Sequence, residues 1–317
     1  MGSFEEREIE IVIENDRRYC NETYFMPNDE PEQTRLNIIH QVYLLLLEGS
    51  LTSVPITQNA PRILDIGTGP GDWAIEMSGM YPNATIVASD IGVFDGGLND
   101  LDLPNVSFQL DDARRVWAYT EPFDLVHIRG LSGAFQDWNF IYQQAFQHLA
   151  PGGYIEVADT DPAADTVTLT HLDNSYFRDY TSAIRSAAEV AGSSRDLSHL
   201  RPCILSAAGF VDVQVTERTV PIGLWPEDPH EKTMGKMVLI ALLEGLEAYG
   251  LRQLTATRNW TAEGVRDLCA KIKREIMMAD KMTARVKIIT GRKPISCAPV
   301  KEQQRNSLLK RVFDTVD

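Results

Sequence analysis

The chain has 317 residues and a mass of 35.5 kDa, enough for one large α/β domain with additions or for two small domains. A composition of 44% hydrophobic and 24% charged residues excludes wholesale disorder. Thirty Lys and Arg stand against 45 Asp and Glu, and the resulting net charge of −15 argues against generic nucleic-acid binding or an anionic membrane surface.

In chain order, the apolar spacing of Leu36, Ile39, Val42, Tyr43 and Leu46 predicts a helix over residues 31–47. After a loop with Gly49, Pro55 and Pro61 the pattern becomes α/β: a strand at 62–66, a helix at 72–80, strands at 84–89, 106–110 and 123–128, a helix at 138–149 and a strand at 154–158. Strands alternating with helices predict a doubly wound, mostly parallel sheet, and continuous apolar strands predict burial on both faces. Beyond residue 158 the chain reads as mostly helical, with candidates at 174–190, 197–208, 232–249 and 262–278. Two more strands, at 210–220 and 285–290, bring the sheet to seven. The expected organisation is an N-terminal helical cap (1–58), a ligand-binding α/β domain (59–295) with helical insertions near 165–209 and 226–280, and a tail at 296–317.

Cys20, Cys203, Cys269 and Cys297 are widely spaced and form no C-x-x-C, which argues against a zinc knot, a disulfide scaffold or a redox pair. No signal-peptide core follows the acidic start, and Glu6 stands where an N-myristoylation motif wants Ser or Thr. The longest apolar runs, 42–47 and 237–243, fall far short of the roughly 20 residues of a membrane span. A reducing compartment follows, with the cytoplasm as the expected location and the nucleus as the alternative. The sequons at Asn83 and Asn259 are then expected to stay unglycosylated.

The densest signal is Asp65-Ile66-Gly67-Thr68-Gly69-Pro70-Gly71-Asp72-Trp73, glycines where a strand runs into a helix. Such glycines let the backbone turn tightly and approach a ligand. A dinucleotide loop wants G-x-G-x-x-G, whereas the sixth position here is Asp72, a carboxylate that would repel a pyrophosphate. No Gly-Lys-Ser/Thr follows, so a P-loop is excluded. G-x-G-x-G is the spacing used for S-adenosyl-L-methionine; the alternative is a tight turn without a ligand. Asp90, followed by Ile91, ends the second strand, where a carboxylate accepts from ribose hydroxyls. Asp111-Asp112-Ala113 ends the third, where a carboxylate accepts from an adenine amino group and Ala leaves room for the ring. Their local alternatives are a solvated turn and a helix N-cap. All these acids fall at strand carboxyl ends, the edge where open parallel sheets bind ligands.

With these pieces in place the chain resembles a class I S-adenosyl-L-methionine-dependent methyltransferase, and more narrowly the fungal LaeA-like secondary-metabolism methyltransferases. The matching pieces are residues 14–19, 29–36, 63–73, 111–113, Trp117, 123–129 with its His127-Ile128-Arg129, Asp137-Trp138 and 149–153, with weaker matches at Trp225-Pro226 and 291–294. The resemblance spans roughly 12–295 and is dense to about 160. Two stretches depart from it. Ile91-Gly92-Val93-Phe94 stands where the family often has Ser-Pro, and Ala158-Asp159-Thr160-Asp161 where it often has Glu-Phe-Asp.

The resemblance implies an S-adenosyl-L-methionine cofactor held by Asp65, Gly67, Thr68, Gly69, Gly71, Trp73, Asp90, Ile91, Asp111, Asp112, Ala113 and His127, with no metal. Methyl transfer is an in-line displacement in which the enzyme mainly supplies alignment. His127, at the end of the fourth strand, is the candidate base, or else an orienting or core histidine. Arg129 is read as anchoring an anionic substrate or pairing with an acid. Tyr19 and Tyr24 cover the cofactor's sulfonium or pack, Asp159 and Asp161 are rim carboxylates, and Trp225 with His230 lines a substrate pocket. Methylation of O or N on a small molecule, in secondary metabolism, is the leading expectation. Its rivals are a non-methylating cyclisation or rearrangement on the same fold, and a LaeA-type regulatory partner; a homodimer is left open.

Overall fold

The computed structural model of the protein describes residues 11–94, 103–160 and 176–295; Asp161, Cys297 and the tail lie outside them. The described chain opens on a hairpin, β1 (Val12–Glu14) and β2 (Arg17–Tyr19). Asn15 and Asp16 turn it with φ of 53° and 64°, the left-handed pair that a two-residue hairpin demands. The segment read as an N-terminal helical cap thus carries a hairpin ahead of its helix α1 (Glu30–Leu46), which Asp29 caps by accepting from the Glu32 N–H.

The doubly wound part follows: β3 (Arg62–Ile66), α2 (Asp72–Met80), β4 (Thr85–Asp90), β5 (Val106–Leu110), β6 (Phe123–Arg129), α3 (Trp138–His148) and β7 (Leu149–Thr160). Then come α4 (Tyr176–Val190), a 3-10 turn (Ser198–Leu200), α5 (Pro202–Ala207), β8 (Val211–Ile222), α6 (Pro229–Thr255), α7 (Ala262–Met278) and β9 (Met282–Arg292). The segment expected as one helix at 197–208 breaks into the 3-10 turn and α5, because Pro202 starts α5 afresh.

The sheet order is β5-β4-β3-β6-β7-β9-β8, seven strands of which β9 alone runs against its neighbours. Ile63, Leu64, Leu125, Val126, Ile128, Ile155 and Val157 are fully buried, as central strands covered on both faces require. The chain leaves β3 towards β4 on one side and returns to β6 on the other. Loops after β3 and β6 therefore part at the strand carboxyl ends and open a crevice there.

Over that crevice α6 lies against α1, α4, α7 and β8. Its close approach depends on Gly235, where a Cβ would come 2.4 Å from the Gly223 carbonyl oxygen. A second core forms here, of Val220, Ile222, Leu246, Leu251, Ile272 and Val286 among others. Among the described residues, no helix is long and apolar enough to cross a membrane, and no cluster of three or more metal-ligating side chains occurs.

Candidate functional site

The glycine loop leaves β3 with Gly67, Gly69 and Gly71 at φ of 70°, 59° and 90°, a left-handed path that side chains resist. Its amides are held by the neighbouring strand. The Gly67 and Thr68 N–H groups donate to the Ser89 carbonyl (2.8 and 3.1 Å), and the Gly69 N–H donates to Asp90 Oδ2 (2.8 Å). Asp90 Oδ1 accepts from the Gly92 N–H at 2.9 Å. Burial pushes the Asp90 carboxyl above the usual range, and these two amides oppose the shift in part. Gly71 caps α2 behind the loop.

Beneath the loop Asp65 and His127 face each other across adjacent strands, Asp65 Oδ1 to Nδ1 at 2.7 Å. The imidazole is stacked on the indole of Trp73, centroids 3.9 Å apart, and His127 is 2% exposed. Asp65 Oδ2 and Thr68 Oγ1 are buried without a hydrogen-bond partner. A buried acceptor left this way is costly, and so marks a place for a ligand or water.

Two hollows meet at this loop. The smaller is lined by Ser89, Ile91, Asp111, Asp112, Ala113 and Phe135, and shares Tyr24, Gly67, Asp90 and Leu131 with the larger. In it Asp111 Oδ1 accepts from the Asp112 N–H (2.9 Å), and Asp112 is paired with the Arg114 guanidinium at 2.8 and 2.9 Å. Burial raises the Asp112 carboxyl, but Arg114 outweighs it and holds the group below its ordinary value.

The larger is a cavity of about 220 Å³. Asp65, Thr68, Trp73 and His127 floor it; Leu36, Ile39, Val42 and Tyr43 of α1 close one side. The far wall is apolar, made by Val220 and Ile222 of β8, Ala284 and Val286 of β9, and Val238, Ala241 and Leu242 of α6. Arg129 ends β6 inside the cavity, its Nη2 3.0 Å from His40 Nδ1 and its guanidinium 4.8 Å above the Tyr43 ring. Burial and the neighbouring Arg129 push His40 towards its neutral form, which lets Nδ1 accept.

Three sequence expectations are corrected. Tyr19 lines neither hollow; it is fully buried under Arg252, whose guanidinium stacks 3.5 Å from the ring centroid. Trp225 lies outside the cavity and donates to the Met282 carbonyl, because the chain turns outward at Gly223 before α6 returns. Asp159 is not a rim carboxylate. It lines the cavity yet is 1% exposed, accepting from the Ser132 N–H and lying 2.8 Å from His199 Nε2. Tyr24, by contrast, lines both hollows, and its hydroxyl is driven far up by burial.

Sequence reasoning placed Tyr24 at the site but missed Glu32, Arg35, Arg195, Tyr249 and Arg252. Arg252 donates to Glu14 Oε2 (2.8 Å) and to the Asn21 and Tyr24 carbonyls, tying the hairpin to α6. The buried pair Glu32–Arg35, at 2.6 Å, and the aromatic Tyr249 line the cavity, as does Arg195 from the loop after α4. The cavity face of α1 was recoverable from its apolar spacing; nothing local distinguishes Arg195.

Comparison with known proteins finds a match to the methyltransferase domain family over residues 19–215. The chain is 34% identical over 262 residues to the secondary metabolism regulator LAE1 of Cochliobolus heterostrophus, covering 80% of this chain and 84% of the relative. It is 31% identical over 259 residues to the methyltransferase pytC of Aspergillus terreus, covering 81% and 79%. Among solved structures, phosphoethanolamine N-methyltransferase 2 of Haemonchus contortus superposes with a TM-score of 0.46 at 17% identity, over 82% of this chain and 52% of that one.

Proposed function

The chain belongs to the methyltransferase domain family, with relatives in fungal secondary metabolism, and from that premise we propose that it binds S-adenosyl-L-methionine and methylates O or N of a small, largely apolar metabolite. One observation carries the reading: the glycine loop lines a cavity whose far wall is aliphatic. A binding module needs no such second compartment, whereas a transferase needs room for an acceptor beside its cofactor.

The residues present fit the cofactor. Asp65 Oδ2 and Thr68 Oγ1 are buried without partners at the loop, and acceptors of this kind suit an ammonium and hydroxyl-bearing ligand. Asp90, shared by the two hollows, is positioned to accept from ribose hydroxyls through its remaining lone pairs. Ala113 and Ile91 leave an apolar slot for a base, with Asp111 and Asp112 at its edge. When bound, S-adenosyl-L-methionine supplies an electrophilic methyl on a sulfonium. The chain then contributes alignment and exclusion of water, effects worth up to about 7–11 kcal/mol. His127, with Nδ1 engaged by Asp65 and one face against Trp73, holds the floor of the cavity and orients Asp65 rather than moving freely as a base.

Calorimetry of the purified protein with S-adenosyl-L-methionine and its demethylated product tests cofactor binding; tight NADH binding in its place would overturn the proposal. Mass spectrometry of fungal metabolite extracts incubated with protein and methyl-labelled cofactor tests the reaction, and a labelled product heavier by one methyl is expected. A product of unchanged mass would favour a cyclisation or rearrangement. The 34% identity to LAE1 favours a regulatory role as the second reading. Cofactor binding without any small-molecule product, joined to altered transcription of metabolite genes on deletion, would support it.

A further inference from the structure

Three arginines line the cavity; Arg35 is paired with Glu32, whereas Arg129 and Arg195 form no ion pair with a carboxylate among the described residues. Arg195 is 5% exposed; its Nη1 donates to Gln253 Oε1 at 3.3 Å, and its guanidinium lies 4.8 Å from the Phe25 centroid and 4.4 Å from that of Tyr249. Arg129 spends one N–H on His40 and rests on Tyr43. A guanidinium carries five N–H donors. Among the described residues these are the only hydrogen bonds either side chain makes, and neither has an ion pair.

The acids around the same cavity are committed elsewhere. Glu32 is paired with Arg35, Asp65 with His127, Asp159 with His199 and Ser132, and Asp90 with the Gly69 and Gly92 amides. Asp72, the remaining acid, forms no ion pair with either arginine; burial raises its carboxyl, and the charges of His40 and Arg129 oppose the shift only in part. Burying one unpaired cation is costly, and burying two against one small space is costlier still. Aromatic faces recover only part of that cost. The energy is recovered when an anion enters, and the planar fork of arginine matches a carboxylate best.

We propose that Arg129 and Arg195 form an anion-binding subsite for the acceptor, so that the substrate class is an apolar small molecule bearing a carboxylate. The aliphatic wall of β8, β9 and α6 takes its body. This rests on the methyltransferase reading and narrows its substrate.

The test is calorimetry on the full chain saturated with S-adenosylhomocysteine, using decanoate, benzoate and cinnamate against their primary amides. At least one acid is expected to bind more than tenfold tighter than its amide. Arg129→Met and Arg195→Met should each abolish that preference while S-adenosylhomocysteine affinity stays within about twofold. Arg129→Lys and Arg195→Lys, which keep the charge, should restore part of it, with melting curves run alongside to confirm that each variant is folded. Equal binding of acid and amide, or no binding of any acid, would overturn the inference. So would loss of S-adenosylhomocysteine affinity in the variants with acid preference intact, since the arginines would then serve the cofactor's own carboxylate. Failure of the unaltered protein to bind S-adenosylhomocysteine would overturn the parent reading as well.

Discussion

His127 lies flat against Trp73, the ring planes 3° from parallel, while its Nδ1 is 2.7 Å from Asp65 Oδ1. The three side chains come from β6, α2 and β3, so one histidine joins the glycine-loop strand to its neighbour and to the helix that follows. Removing it is a structural event before it is a chemical one. His127→Ala should lower the unfolding free energy by on the order of 3 kcal/mol, the range for emptying a buried ring site. Affinity for S-adenosylhomocysteine should fall with it, because Asp65 loses its orientation. Denaturant melts and calorimetry on the same sample check this. A variant of normal stability and cofactor affinity whose maximal rate alone drops 100-fold or more would instead make His127 a base.

The two outer glycines of Gly67-Thr68-Gly69 should answer differently to alanine. At Gly67 a Cβ would sit 2.6 Å from Leu131 Cδ1, and Leu131 belongs to both hollows. At Gly69 the nearest contact is Leu36 Cδ1 at an ordinary 3.5 Å, leaving only the strain of φ +59°. Gly69→Ala should therefore cost about 1 kcal/mol. Gly67→Ala should cost more and weaken cofactor binding further, since it displaces Leu131. Melting curves with and without S-adenosylhomocysteine give the order directly; an equal effect at both positions would refute it.

Asp90 gives the cofactor site a pH dependence with a defined sign. Its folded carboxyl, raised by burial, keeps a proton to higher pH than the unfolded one. Between the ordinary carboxylate range and that raised value the native state binds more protons, so Asp90's contribution to stability declines as pH climbs through the window. Cofactor affinity should move the opposite way, because the ionised form is the better acceptor for hydroxyls. Asp72 is shifted in the same direction, also by burial, so Asp72→Asn is the control. Calorimetric titrations across weakly acid pH should show affinity rising with pH in the unaltered protein and in Asp72→Asn, and a flat profile in Asp90→Asn.

Arg252 should prove a support for the site from a distance. It ties Glu14, Asn21 and Tyr24 to α6 and stacks on Tyr19. Arg252→Ala leaves two carbonyls without their donor, a loss on the order of 3 kcal/mol for hydrogen bonds to a charged group. The hairpin and Tyr24 should loosen together. Hydrogen exchange is expected to accelerate across residues 12–24 while the central strands stay protected; uniform exchange changes would argue for global destabilisation instead.

Thiol chemistry offers a separate check. Cys20 and Cys269 are buried, which pushes their thiols up to about 11 and about 12, whereas Cys203 is exposed. A thiolate-directed reagent should modify Cys203 in the native protein and leave Cys20 and Cys269 untouched at neutral pH. In denaturant without reductant, all four cysteines of the chain should titrate as free thiols. A shortfall of two would reveal a disulfide.

The doubly wound half was legible because its signals are local. β5, α2 and α7 coincide with their expected ranges. Their apolar runs, helical periodicity and strand-end acids each depend on residues a few positions apart. The hairpin was also within reach, since Asn15-Asp16 is a pair that tolerates left-handed turns, but strands of three residues leave almost no alternation to read.

What the amino-acid order determined by itself is the sheet, its glycine loop and the row of acids at its carboxyl edge, for chain stiffness and backbone sterics decide these over short spans. Only the tertiary structure decided the cavity. Tyr43, Arg129, Arg195, Val220, Tyr249 and Val286 meet there from six separate stretches. It alone sent Tyr19 under Arg252, turned Trp225 outward, and brought the Arg129 and Arg195 guanidinium groups to one cavity without an ion pair for either. Pairings of that kind are settled by packing and by the cost of burying charge, which act between residues far apart in the chain and leave no periodic trace along it.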